Sequence, residues 1–145
     1  ILTGYNIVQF DFDYLVKRAQ KLRLRNFECF SRLLKQKVRC KDTKFSSAQT
    51  GGRESKEWFI EGRVVFDMYQ VIQRDYKLSS YRLNNVASHF LKQQKEDVHH
   101  SQIAKLHAGR ADDRRRLAVY CRKDALLPQR LIENRMCLVG YVEMA

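Results

Sequence analysis

The stretch ILTGYNIVQFDFD (Ile1–Asp13) decides the fold class. Its first eight residues are rich in β-branched and aromatic side chains, with Gly4 among them, and predict a buried strand from Ile1 to Val8. Asp11 and Asp13 then open a helix to about Leu24, in which Phe12, Leu15, Ala19 and Leu22 recur at helical spacing. A strand that runs into a helix, with acids at the joint, is an α/β signature. Asp11 has two readings at that joint. It is either a plain N-cap or an acid placed where α/β sheets bind ligands, beside backbone N–H groups and Asn6.

Working outward, Val38 to Ile60 is polar and basic and holds the turn signal TGG (Thr50–Gly52) between extended flanks such as KEWFIEG, which predicts a projecting β-hairpin. Gly62 to Phe66 reads as a further strand, and Asp67 as the cap of a helix to about Tyr76. Tyr81 to Leu91 is amphipathic through Leu83, Val86, Ala87 and Phe90, and the polar turn KQQKEDVHH follows it. Ser101 to Ala108 forms a short helix closed by Gly109 as its C′ residue.

Ala111 to about Val139 carries the longest helical pattern. Leu117, Tyr120, Leu127, Leu131 and Leu138 recur along it at spacings of three, four and seven, and Asp124 falls in the same register. A carboxylate on an apolar stripe costs several kcal/mol unless it is paired or binds a cation. Asp124 therefore has a partner, either an Arg such as Arg115 or Arg130, or a ligand shared with Tyr120 one turn earlier. Pro128, four residues on, cannot donate an N–H to the Asp124 carbonyl and should loosen the helix there.

Net charge narrows the partners. Between Lys17 and Arg63 fourteen basic residues stand against five acidic ones, net +9, whereas the remainder has fourteen and eleven, net +3. A positive surface concentrated in one segment fits a polyanion whose backbone it tracks. Cys29, Cys40, Cys121 and Cys137 have no zinc-site spacing and read as reduced thiols of an intracellular protein. No run of eighteen apolar residues exists, so no membrane contact is expected. Both ends of the 145 residues look cut, which predicts a single partial domain.

GYNIVQFD (Gly4–Asp11) resembles the second exonuclease motif, and YCRKD (Tyr120–Asp124) the third, of the proofreading domain of family B DNA polymerases. FSSAQTGGRESKE, YKLSSYRLNNVASHFL, QKEDVHHSQI and RRRLAVYCRKDALLPQRLIENRM are similar, in the same order, to a eukaryotic replicative member of that family. The resemblance covers Ile1 to Ala145. It implies a ribonuclease H-like α/β fold with its N-terminal strands missing. It also implies a 3′ to 5′ exonuclease of the DEDDy class, which uses three Asp, one Glu and a Tyr to hold two Mg²⁺ or Mn²⁺ ions about 4 Å apart.

On this resemblance Asp11 and Asp124 are metal ligands, Tyr120 orients the attacking water, Asn6 lies near the frayed 3′ end of the primer, and Phe10 binds DNA. The first motif, a D-x-E stretch, does not occur before Asp11, so the isolated chain is expected to bind metal weakly and show little nuclease activity. Two smaller departures are Asp13, where the family usually has Pro, and KDALLP, where it usually reads KDAYLP. Asp13 lies two helical positions on, a turn of about 200°, and so points away from Asp11.

The basic hairpin resembles the one with which family B enzymes help part primer from template. Lys41, Lys44, Arg53 and Lys56 would then contact phosphates, while Phe45 stacks or packs and Trp58 packs. The implied partners are single-stranded DNA at the primer 3′ end, the rest of the polymerase chain and its accessory subunits, and the implied compartment is the nucleus. The alternatives are a catalytically lapsed single-stranded nucleic-acid-binding module and a basic scaffold for acidic proteins. His89, His99, His100 and His107 read as structural, and Asp67, Asp97, Asp112 and Asp113 as caps or solvated acids.

Overall fold

The computed structural model describes residues 1–47, 51–93 and 98–144, without the side chains of 44–47 and 51–55. The chain divides into two compact units, Ile1–Asp67 and Met68–Ala145.

In the first unit the opening strand is short. β1 is Leu2–Gly4, paired in parallel with β4, Val65–Asp67, in the register Leu2 to Val65, Thr3 to Phe66 and Gly4 to Asp67. The Thr3 hydroxyl adds a 2.8 Å bond to the Phe66 carbonyl. The predicted strand through Val8 is thus cut at Gly4, because Asn6 takes the left-handed conformation (φ 62°) and residues Ile7–Asp11 wind into a π-helical turn. Asn is among the few non-glycine residues that visit that region at modest cost. Gly4 is required beside this turn, since a Cβ there would collide with the Ile7 side chain.

α1, Phe12–Lys21, continues from the turn. It stops three residues before the expected Leu24. Arg23 is left-handed (φ 53°), its N–H bonds the Gln20 carbonyl and that of Leu24 bonds the Ala19 carbonyl, both at 3.0 Å, which is a Schellman closure. Phe12 and Ala19 of the expected stripe are buried, whereas Leu15 and Leu22 are exposed.

The predicted hairpin forms. β2, Arg39–Ser47, pairs antiparallel with β3, Gly51–Phe59, and Cys40 faces Trp58 in the register. Its tip, including Thr50 of the turn signal, lies outside the described residues. Gly62 follows with φ 74°, and a Cβ there would stand 2.9 Å from that of Arg32.

The second unit is helical. α2 (Met68–Asp75), α3 (Leu83–Leu91) and α4 (His100–Ala108) pack with the 25-residue α5, Ala111–Arg135, and α6, Cys137–Glu143, follows. Met68, Ile72, Val86, Leu131 and Pro128 are its largest fully buried side chains. The long helix expected to reach Val139 breaks at Met136, which is left-handed (φ 51°). Pro128 lies inside α5 without ending it. Gly109 closes α4 in an extended conformation (φ −76°, ψ −160°), not the left-handed one of a C′ glycine. Asp113 accepts a 2.9 Å bond from the Arg110 N–H, as an acid at a helix start should. The polar turn after α3, with Asp97, falls partly outside the described residues. All four cysteines are free thiols. Among the described residues no helix is long and apolar enough to cross a membrane.

Candidate active site

Asp11 ends the π-helical turn and precedes α1. Its backbone is already helical (φ −66°, ψ −44°) and its side chain makes no capping bond, so the N-cap reading does not hold. The carboxylate is exposed at the surface, yet its pKa is raised. Partial desolvation is the main cause. Repulsion from the Asp67 carboxylate acts in the same direction, and a hydrogen bond from the backbone N–H opposes both.

Asp67 is the only buried charged or polar residue among those described, 4 % exposed at the end of β4. It is not a solvated acid. Its carboxylate reaches across to the turn, accepting the Asn6 N–H at 2.7 Å and the Val8 N–H at 3.1 Å. A left-handed residue followed by a π turn leaves donors that no ladder or α-helical carbonyl takes up, and a buried donor must find some acceptor. The Val8 carbonyl accepts the Trp58 indole N–H at 2.8 Å. Trp58 also stands edge-on to Phe12, with ring centroids 5.6 Å apart. The expected packing role of Trp58 is what the structure shows, with this hydrogen bond added.

Asp13 pairs with Lys17 one turn on and with Lys56 of β3, each at 2.8 Å. Lys56, expected at a DNA phosphate, is therefore engaged within the unit, its side chain 24 % exposed. Lys41 is exposed on β2, while the side chains of Lys44, Phe45 and Arg53 lie outside the described residues. Phe10 is 64 % exposed and stacks on the exposed Tyr14, rings 6.2 Å apart and within 6° of parallel. The two rings border an open groove of about 350 Å³ whose rim carries Lys17, Arg18 and Lys21.

Tyr120 and Asp124 sit one turn apart on α5 in the second unit, both half-buried. Asp124 shares a face with buried Leu127 and Leu131, as its register predicted. Arg130, one candidate partner for that acid, donates to the Gln93 side chain at 2.7 Å. Among the described residues no three His, Cys, Asp or Glu side chains cluster as a metal cage. The donors that are present, carboxylate oxygens, suit a hard divalent cation, and the negative field that Asp67 adds at Asp11 suits one too.

In the sequence the only warning of the Asp67 network is an acid closing the apolar run VVF (Val64–Phe66). An acid in that position is a sign worth following, because a strand end that is otherwise apolar goes into the core.

Residues 1–86 match the family described as DNA polymerase family B, exonuclease domain, and the chain belongs to that family. Tyr120 and Asp124 lie beyond the matched span. Over all 145 residues the chain is 60% identical to the DNA polymerase delta catalytic subunit of Glycine max, 57% to that of Oryza sativa subsp. japonica and 55% to that of Schizosaccharomyces pombe. It spans 13% of the length of each of these relatives.

Proposed function

We propose that this segment is the proofreading part of a replicative DNA polymerase, a 3′ to 5′ exonuclease that removes mispaired nucleotides from a primer end. The observation that carries the reading is the exposed Asp11 carboxylate, held at the head of α1 within the matched exonuclease region. On this reading the fold is ribonuclease H-like and the segment works within a longer polymerase chain, with its accessory subunits, in the nucleus.

Asp11 and Asp124 are the carboxylates of this chain that would hold Mg²⁺ or Mn²⁺, which supply activation of water and stabilisation of the leaving 3′ oxygen when bound. The phenol of Tyr120 orients the attacking water by hydrogen bonding. Phe10 offers a ring face to the terminal base, a contact that tolerates any sequence. Asn6, left-handed beside it, and the cations Lys17, Arg18 and Lys21 hold the strand by its sugar and phosphates. Lys41, Lys44 and Arg53 extend that contact along the hairpin.

The test replaces the matching 145 residues of the Glycine max relative with this segment and follows Mg²⁺-dependent digestion of single-stranded DNA. Asp11→Ala and Asp124→Ala should each lower the rate at least about 1,000-fold, the scale on which a group acting with others in one centre is felt. Salt-sensitive DNA binding without any hydrolysis, even in the unsubstituted chimera, would leave the lapsed binding module as the better reading.

A further inference from the structure

The π-helical turn that carries Asp11 has backbone bonds of its own, from the Phe10 N–H to the Asn6 carbonyl at 3.2 Å and from the Phe12 N–H to the Ile7 carbonyl, but they are not all that holds it. Its entry is left-handed at Asn6, and neither polar group of Val8 is left to a neighbouring strand. Both are taken by side chains from elsewhere in the unit, the N–H by Asp67 of β4 and the carbonyl by Trp58 of β3. The Asn6 N–H goes to the second oxygen of the same carboxylate.

We propose that Asp67 is a positioning residue for the exonuclease reaction, a buried two-pronged acceptor that fixes the turn and thereby the direction of the Asp11 carboxylate. This role rests on the proofreading function proposed for the segment.

The chemistry of the clamp comes from its geometry. A carboxylate offers acceptors only, so both of its oxygens can receive N–H groups at once. An amide of the same shape offers one acceptor and one donor, and the donor would face an N–H. Asp67→Asn therefore keeps volume and burial but breaks one of the two prongs. Asp67 neighbours Asp11 closely enough to act on its charge, but the bonds it accepts from Asn6 and Val8 go to backbone N–H groups of the turn. Its role is directional. A displacement of about 1 Å at a reacting group costs about 100-fold in rate.

The experiment uses the full-length Glycine max chimera with single-stranded DNA and Mg²⁺. Asp67→Asn is expected to lower kcat about 100-fold while KM changes less than twofold, with Trp58→Phe giving a smaller loss of kcat of the same kind. A loss of folding alone would lower the amount of active enzyme but would not split kcat from KM at constant active-site concentration. Amide exchange provides the second measurement. In the unsubstituted protein the Asn6 and Val8 amides should be protected, and in Asp67→Asn their protection should fall while that of α1 remains.

If Asp11→Ala abolishes hydrolysis and Asp67→Asn keeps kcat within twofold, the positioning role is overturned and the enzyme reading stands. If Asp11→Ala leaves hydrolysis unchanged, the catalytic role of Asp11 fails and the positioning role fails with it; if the unsubstituted chimera shows no hydrolysis, the enzyme reading itself fails. Should Asp67→Asn not fold, free exchange of the Asn6 and Val8 amides in the unsubstituted protein overturns the clamp, and protection upholds it.

Discussion

Asp11 and Asp124 are both acids of the proposed centre, but their backbones are secured in opposite ways. Asp124 stands in a regular 25-residue helix whose face is set by Leu127 and Leu131, both buried. Apart from the bond that Pro128 cannot give to the Asp124 carbonyl, such a helix satisfies its local hydrogen bonds within its own chain, so the direction of Asp124 is a matter of register. Asp11 stands after a left-handed residue and a π turn, and side chains from two strands supply the acceptor and donor that the turn lacks. Apolar packing fixes the first acid and polar pairing the second. π turns inside helices are rare and recur at functional sites, where an extra residue re-aims the side chains beyond it.

That contrast is open to test. The largest effect is expected in the helical unit. Leu131→Ala, at a position with no exposed surface, should lower stability by about 2–5 kcal/mol, read by thermal or urea unfolding of the chain. A loss below about 1 kcal/mol would mean that α5 is not held by its apolar face.

Trp58→Phe is milder and bears on the pinned turn. The ring still packs on Phe12, but the Val8 carbonyl loses its indole donor, so the expected loss is about 1 kcal/mol. Its signature is local, with faster amide exchange around Val8 and little change in α1. A uniform change across the unit would show that Trp58 acts by bulk and not by its N–H.

The smallest effect belongs to an exposed pair at the end of α2. Hydrogen bonds from Arg74, at 2.6 and 3.0 Å, hold Asp75 below its ordinary pKa. A lowered folded-state value means that the stabilisation is complete above the ordinary carboxylate pKa of 3.8 and is lost as pH falls through the folded value. Asp75→Asn should therefore cost about 0.2–1 kcal/mol at neutral pH, the range for solvent-screened pairs, and the difference should vanish on acidification. A pH-independent difference would place the effect outside charge.

The helices, the hairpin and the acid in register on α5 were legible because each depends on spacing along one element, and spacing is what a sequence contains, although Leu15 and Leu22 of the α1 stripe are exposed. Where the reading failed, the deciding contact came from far along the chain. The strand from Ile1 to Val8 stops at Gly4 because Asp67, about sixty residues on, accepts two of the N–H groups that a strand would have given to its neighbour. The pairing of Lys56 with Asp13 was likewise not legible, because Asp13 sits on α1 and Lys56 on β3. Met136 turns left-handed in a stretch whose pattern continues past it.

The sequence by itself therefore determined the family, the concentration of positive charge from Lys17 to Arg63, and the face of α5 on which Asp124 lies. Only the tertiary structure decided how the head of α1 is built: which peptide groups leave the strand and which side chains receive them. The physical reason is that a regular element satisfies its own hydrogen bonds and so announces itself in local pattern, whereas an irregular turn borrows partners from distant segments that only the folded chain brings within 3 Å.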